Sequence, residues 1–296
     1  MTAPEIRRLT QDDYPAFERF LSGRAESSMF LRSNARAAGL DYEGKGFQAR
    51  YFGAVDEAGL CGLLALSWGG HLMAQAPVDL LGPLLSALQA EEPEALATGL
   101  LAPADQAAWL LERLNPPAES VKLSEIESLF RLALGRLVVP EPLRTGALVA
   151  RRAGLEDLDF IVPWRVAYDI ETMGGLRPEM EADARAAIAA WIERLPIFLL
   201  EAEGRPIAMA AWNAELPDMV QIGGVFTPPE LRSRGYGRAA VAAALIAARD
   251  RGATAAILFT HTPAAERAYR ALGFEEVGRY HIALFDPGVR LGDVSL

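Results

Sequence analysis

Arg232, Arg234, Gly235 and Gly237 fall within a span of six residues. Two fixed positive charges beside two glycines can hold a phosphate. Guanidinium groups fork onto its oxygens, and glycines let backbone N–H groups come close. The elements that must position them are legible on both sides. Met219 to Val225 is an apolar run that reads as a strand, and Arg238 to Arg251 is an alanine-rich run that reads as a helix. The stretch Val225-Phe226-Thr227-Pro228-Pro229-Glu230-Leu231-Arg232-Ser233-Arg234-Gly235-Tyr236-Gly237 is therefore a strand end, a proline-stiffened loop and a glycine-rich helix start. A helix start favours negative charge through its dipole and its unpaired N–H groups. The simplest ligand is a pyrophosphate.

Gly235-x-Gly237-x-x-Ala240 fits the letters of the dinucleotide fingerprint, but its surroundings do not. That fingerprint follows its strand directly and needs a carboxylate at the end of the next strand to hold a ribose. Here Pro228 and Pro229 intervene, and the next strand, Ala253 to Thr260, ends in Thr260-His261-Thr262. A nicotinamide-dependent reductase is thereby disfavoured. No Gly-Lys-Ser/Thr phosphate loop occurs anywhere in the chain.

Arg232-x-x-Gly235-x-Gly237 resembles the pyrophosphate-binding motif of the GNAT superfamily of N-acetyltransferases, Gln/Arg-x-x-Gly-x-Gly/Ala. Downstream, Pro263-Ala264-Ala265-Glu266-Arg267-Ala268-Tyr269-Arg270-Ala271-Leu272-Gly273-Phe274 resembles the family's Asn-x-x-Ala-x-x-x-Tyr-x-x-x-Gly-Phe segment, with Thr262 where Asn is usual. The resemblance runs from about Gly146 to Phe285, half the chain. It implies an α/β (α+β) fold with a mixed, mostly antiparallel sheet flanked by helices, and acetyl-CoA as co-substrate. Val225, Phe226 and Thr227 would lie along pantetheine where the strand splays from its neighbour. Arg232, Ser233, Arg234, Gly235, Tyr236, Gly237 and Arg238 would hold the pyrophosphate, with Thr262 beside the cofactor.

Gly223-Gly224 inside the strand before the loop marks either a bulge that only shapes the sheet or a close approach by a ligand. The chemistry implied is attack of a neutral amine on a thioester, through an oxyanion, with departure of a thiolate. Tyr269, by its match to the family's tyrosine, is either the proton donor to that thiolate or a side chain packed on the cofactor. The family often carries a glutamate on the strand before the loop, where this chain has Gln221, which cannot take a proton. Arg165-x-x-Tyr168-x-x-Glu171 shares a helix face ahead of a Met173-Gly174-Gly175 loop. Glu171 would bind or deprotonate the amine, with Arg165, Tyr168 and Gln221 facing the acceptor, or the three residues are only a solvated helix end. His261 reads as a loop histidine without a role.

The sequence also repeats. Arg7-Arg8 with Asp12-Asp13 resembles Arg151-Arg152 with Glu156-Asp157, Phe52 to Trp68 resembles Phe198 to Trp212, and Pro103 to Trp109 resembles Pro263 to Tyr269. Three pairs in one order predict a duplicated unit. Trp68 to Pro103 is 35 positions and Trp212 to Pro263 is 51, so the first copy lacks sixteen residues where the second carries its glycine loop. Trp109 replaces Tyr269 and cannot give up a proton as a phenol does. The expectation is two tandem GNAT-like domains: a degenerate copy at 1–139 without the cofactor motif, a linker at 140–146 and a catalytic domain at 147–296.

Composition bounds the partners. With 296 residues, 29 Lys+Arg against 39 Asp+Glu and a net charge of −10, the chain does not carry the basic footprint of a nucleic-acid binder. Cys61, the single cysteine, sits in an apolar run and reads as a core residue. No Cys/His cluster suggests a metal. The N-terminus has no apolar signal region, and the longest apolar run, Ala239 to Ala248, is too short to span a bilayer, so a cytoplasmic protein is expected, not a membrane partner. The acceptor would be a primary amine on a small molecule or peptide, and the reading admits a homodimer. From another class, a non-catalytic acyl-CoA-binding sensor or interaction protein also fits.

Overall fold

The computed structural model describes residues 3–173 and 180–295. In chain order its elements are β1 (Glu5–Arg8), α1 (Tyr14–Ser22), α2 (Met29–Ala38), β2 (Ala49–Asp56), β3 (Gly59–Ser67), β4 (His71–Gln75), α3 (Val78–Glu91), β5 (Leu96–Pro103), α4 (Ala104–Leu114) and β6 (Val121–Ala133). There follow α5 (Glu141–Arg144), β7 (Val149–Arg152), α6 (Leu158–Met173), α7 (Met180–Arg194), β8 (Ile197–Ala202), β9 (Arg205–Glu215), β10 (Met219–Phe226), α8 (Tyr236–Asp250), β11 (Ala255–Thr260), α9 (Pro263–Arg270) and β12 (Glu275–Arg290).

Two compact units result. The first takes residues up to Ser128 and those from Gly278 onward, and the second takes Leu129–Val277. These units depart from the expected bounds of 1–139 and 147–296. The breaks fall inside β6 and β12, because β12 from Tyr280 to Arg290 pairs antiparallel with β5 of the first unit. The end of β6 belongs instead to the second unit, where Leu134 N–H donates to Thr254 O at 2.8 Å. The expected linker 140–146 contains one helical turn, α5, whose Leu143 packs on the second unit's core. The chain ends in one long strand, β12, with an irregularity between Leu284 and Val289.

Each unit repeats the same wiring. In the first, β1–β2, β2–β3 and β3–β4 pair antiparallel and β4–β5 pair parallel. In the second, β7–β8, β8–β9 and β9–β10 pair antiparallel and β10–β11 parallel. The match reaches single residues. Arg8 stands opposite Phe52 and Arg152 opposite Phe198. The β2–β3 register slips after Ala54 and the β8–β9 register after Leu200, both two residues past those phenylalanines. Arg7 forks onto Asp13 at 2.9 and 2.7 Å, and Arg151 forks onto Asp157 at 2.6 and 2.7 Å. Each aspartate also accepts a backbone N–H three residues earlier at 2.9 Å, from Thr10 and from Gly154.

One anchor of the repeat shifts. Phe52 faces Leu64 and Phe198 faces Ala210, so the residue matching Trp212 is Leu66, and Trp68 lies two residues further on. Trp212 is fully buried, whereas Trp68 is 42% exposed. The sequence aligned the two by residue type, while the hydrogen-bond register aligns them by position.

The second unit has a core on each sheet face. Val220, Ile222 and Trp212 pack with Ala239, Ala240, Ala242 and Ala244 of α8, whose small side chains let the helix lie close to the strands. On the other face Leu199, Met209 and Phe226 pack with Ile161 and Val162 of α6 and Ile188 and Ile192 of α7.

Candidate functional site

The glycine loop follows β10, which outruns its pairing with β11. β10 pairs with β11 over Met219–Gln221 against Ala255–Ile257. Beyond those pairs β10 continues to Phe226 and β11 to Thr260. Between Gly223 and Phe226 the register of β10 against β9 also slips, and Gly224 there has φ 55°, a left-handed conformation that favours glycine. The glycine pair read from the sequence is thus a bulge at the point where the strand leaves its parallel neighbour.

After Phe226 the chain turns through Pro228 and Pro229 into the arginine loop. Ser233 and Gly235 have φ 63° and 77°. Gly235 is the N-cap of α8, and the first helical bond runs from Ala239 N–H to Gly235 O at 3.0 Å. By helix geometry the N–H groups of Tyr236, Gly237 and Arg238 have no intrahelical acceptor. A Cβ at Gly237 would sit 3.3 Å from Thr227 Oγ1, tighter than ordinary contact. Arg232, Ser233, Arg234 and Arg238 are exposed around these amides. The arrangement supplies fixed positive charge and outward N–H groups to one anion.

Arg232 does more than line the loop. Its Nε donates to Thr227 O at 2.9 Å, its guanidinium carbon lies 5.7 Å from the Phe226 ring centre, and its Nη2 donates to both oxygens of Glu171 at 2.7 and 2.9 Å. Glu171, expected as a base or amine-binding group, is therefore engaged with the loop's arginine. Tyr168 and Arg165 stand about one and two turns earlier on α6. Arg165 Nε donates to Asp169 at 2.9 Å, and its guanidinium lies 5.1 Å from the Trp191 ring and 5.6 Å from that of Tyr168. The pairing Arg165–Asp169 at i, i+4 was not anticipated. The expected loop at 174–175 lies outside the described residues. A void of about 10 Å³, room for one water, is lined by Arg165, Trp191, Met209, Ala211 and Gly224 among others.

Gln221 is only 3% exposed, and its Oε1 has no hydrogen-bond partner. A buried orphan acceptor is costly and marks a place for a donor from outside. One residue that the sequence did not single out lies over Gly223. Asn213 is the residue skipped by the β9–β10 register, and a Cβ at Gly223 would collide with its carboxamide. Only the strand pairing identifies it, because nothing in the sequence places Asn213 over Gly223.

Tyr269 is buried in the α8-side core, its ring 6.0 Å from Phe274. Thr262 Oγ1 accepts Ala265 N–H at 3.4 Å as the N-cap of α9, which gives that side chain a structural duty. His261 is exposed at the end of β11. Among the described residues, no cluster of three or more His, Cys, Asp or Glu side chains could hold a metal, and no helix is long and apolar enough to cross a membrane. A cavity of about 700 Å³ lies in the first unit, lined by Glu112, Arg113, Asn115, Pro117, Arg290 and Asp293 among others, and contains none of the loop's residues.

Residues 164–274 match the model of the acetyltransferase (GNAT) family. No curated protein matches the chain. Among solved structures, a Drosophila protein aligns over 95% of this chain and 98% of its own, with a TM-score of 0.62 and 12% identity. A GCN5-related N-acetyltransferase from Kribbella flavida aligns over 93% and 99%, at TM-score 0.54 and 21% identity. A tandem GNAT protein from the clavulanic acid biosynthesis pathway aligns over 94% and 97%, at TM-score 0.55 and 13% identity. At these identities the likeness is one of fold, and it spans both units.

Proposed function

Because residues 164–274 carry a GNAT-family acetyltransferase domain within a two-domain GNAT-like fold, we propose that the second unit moves an acetyl group from acetyl-CoA to a primary amine by direct attack in a ternary complex. The observation that carries this reading is the divergence of β10 from β11, which ends at an arginine loop presenting the first amides of α8. Pantetheine would lie along Val225, Phe226 and Thr227, and the pyrophosphate would take Arg232, Ser233, Arg234 and the amides from Gly235 to Arg238.

In the reaction the amine nitrogen forms a C–N bond with the thioester carbon and the C–S bond breaks. Tyr269 is the proposed donor of a proton to the leaving thiolate. The proton lost by the amine goes to water, since Gln221 cannot accept it. Gln221 Oε1 accepts an N–H of the incoming amine, which answers its orphaned state. Arg165 and Tyr168 border the acceptor on α6. The acceptor is a small molecule or a peptide.

The test is thiol release from acetyl-CoA across a panel of primary amines. Turnover on at least one amine, lost on disrupting Gly235 or Gly237, is the expected result. Tight coenzyme A binding without turnover on any amine would replace this reading with a binding role.

A further inference from the structure

We infer that Glu171 is the resident anion of the cofactor's arginine: it occupies Arg232 until pyrophosphate displaces it, and returns as coenzyme A leaves. The inference rests on the reading of Arg232–Gly237 as the pyrophosphate loop.

The geometry is specific. Glu171 is in the last turn of α6, 61 residues before Arg232, and both its oxygens lie within 2.9 Å of one guanidinium nitrogen. The same guanidinium is tied to Thr227 O through Nε. Arg232 is thus held at the end of β10, on the strand that the cofactor would follow. A carboxylate and a phosphate present the same kind of oxygen to a guanidinium. The Glu171 carboxylate straddles Nη2, with both oxygens on that one nitrogen. A pyrophosphate that needs this nitrogen must exchange with Glu171.

The exchange is cheap. The two side chains are 43% and 44% exposed. A solvated pair of this kind alters an equilibrium by at most about fivefold. The carboxylate therefore keeps the arginine oriented without locking it, and it gives departing coenzyme A a competitor for its strongest contact. Glu171 is on this account a positioning residue acting through Arg232.

Calorimetric titration of coenzyme A into the full-length wild type and the Glu171→Gln, Arg232→Gln and double variants tests this. Both positions are exposed, so these substitutions leave the fold intact. Glu171→Gln is expected to bind coenzyme A about two- to fivefold more tightly, and Arg232→Gln more weakly than wild type. In the Arg232→Gln background the Glu171→Gln change is expected to have no effect. Equal or weaker binding by Glu171→Gln overturns the exchange. So does a gain that persists without Arg232, which would reflect only the removal of a nearby negative charge. A wild type that binds no coenzyme A overturns the loop reading itself, and this inference with it.

Discussion

The two units reach the same structural junction and use it differently. In both, a strand pairs in parallel with its neighbour for three residues and then runs on: His71–Met73 against Gly99–Leu101 in the first unit, Met219–Gln221 against Ala255–Ile257 in the second. In the first unit two residues, Ala76 and Pro77, separate β4 from α3. The buried amide of Ala76 donates to Gln106 Oε1 of α4 at 3.0 Å, and Gln75 Oε1 accepts the hydroxyls of Ser27 and Ser28 at 2.7 and 3.1 Å. In the second unit nine residues separate β10 from α8, and the helix's first amides face outward. Gln106 matches Glu266 by position after the proline of each helix, so one substitution turns an amide cap into a charged side chain. The first unit satisfies its own backbone at this junction, whereas the second leaves the first amides of its helix without an intrahelical acceptor, and the fold is kept either way.

The largest expected effect follows from the loop itself. Gly235→Val puts a branched side chain at φ 77°, and Gly237→Val crowds Thr227 Oγ1. Displacing the helix amides by about 1 Å should weaken acetyl-CoA binding about 100-fold or more. Calorimetry should give one coenzyme A per chain for wild type and none in the same concentration range for either variant. A second site, or one surviving these changes, would put a working cleft in the first unit and break the comparison.

Next is the pair Tyr269 and Trp109. Tyr269→Phe should lower kcat about 100-fold while leaving the coenzyme A dissociation constant within about twofold of wild type, since packing against Phe274 is kept. Trp109→Phe should leave kcat unchanged, because Trp109 packs beside Gly82 and under Arg113 within the first unit. Unchanged turnover in Tyr269→Phe would reduce the tyrosine to a packing role.

Gln106→Leu sharpens the same contrast from the other side. It leaves the buried Ala76 amide without an acceptor and should cost about 1–3 kcal/mol of stability in denaturant unfolding, with acetyl-CoA affinity unchanged. If that substitution cost nothing, the amide would not be sealed by Gln106, and the contrast between the two junctions would fail.

Much of this was legible in the sequence because it is local. The glycine loop, its flanking strand and helix, and the Arg-to-Asp spacing of six shared by Arg7–Asp13 and Arg151–Asp157 are all contiguous patterns. What stayed hidden depends on register or on distant partners. The two-residue offset of Trp68 from Trp212 is a matter of which residues hydrogen-bond. The skipped position of Asn213, the Glu171–Arg232 pair and the placing of β12 against β5 join segments that no local pattern connects. Leu66 to Pro103 is 37 positions and Trp212 to Pro263 is 51, so by register the first copy is fourteen residues short, not sixteen, and the longer β9–β10 hairpin shares that difference with the loop.

The smallest expected effect compares the two arginine–aspartate forks. Hydrogen bonds from Arg7 and from the Thr10 amide hold the Asp13 carboxyl down to about 2, and Arg151 with the Gly154 amide lowers Asp157 in the same direction. A lowered carboxyl stabilises the fold fully above its unfolded value near 4, and that contribution fades as pH falls through the folded value. Asp13→Asn should therefore destabilise by about 1–2 kcal/mol near neutral pH, and its gap from wild type should close between about pH 4 and pH 2. Asp157→Asn should show the same sign, closing as pH falls below the ordinary carboxylate range. The forks repeat at one spacing with nearly equal bonds, so the two pH profiles should be near copies, whatever each cleft has become. A gap that widened on acidification would reverse the sign of the linkage. Unlike profiles for the two variants would mean that the repeat is one of geometry and not of energy.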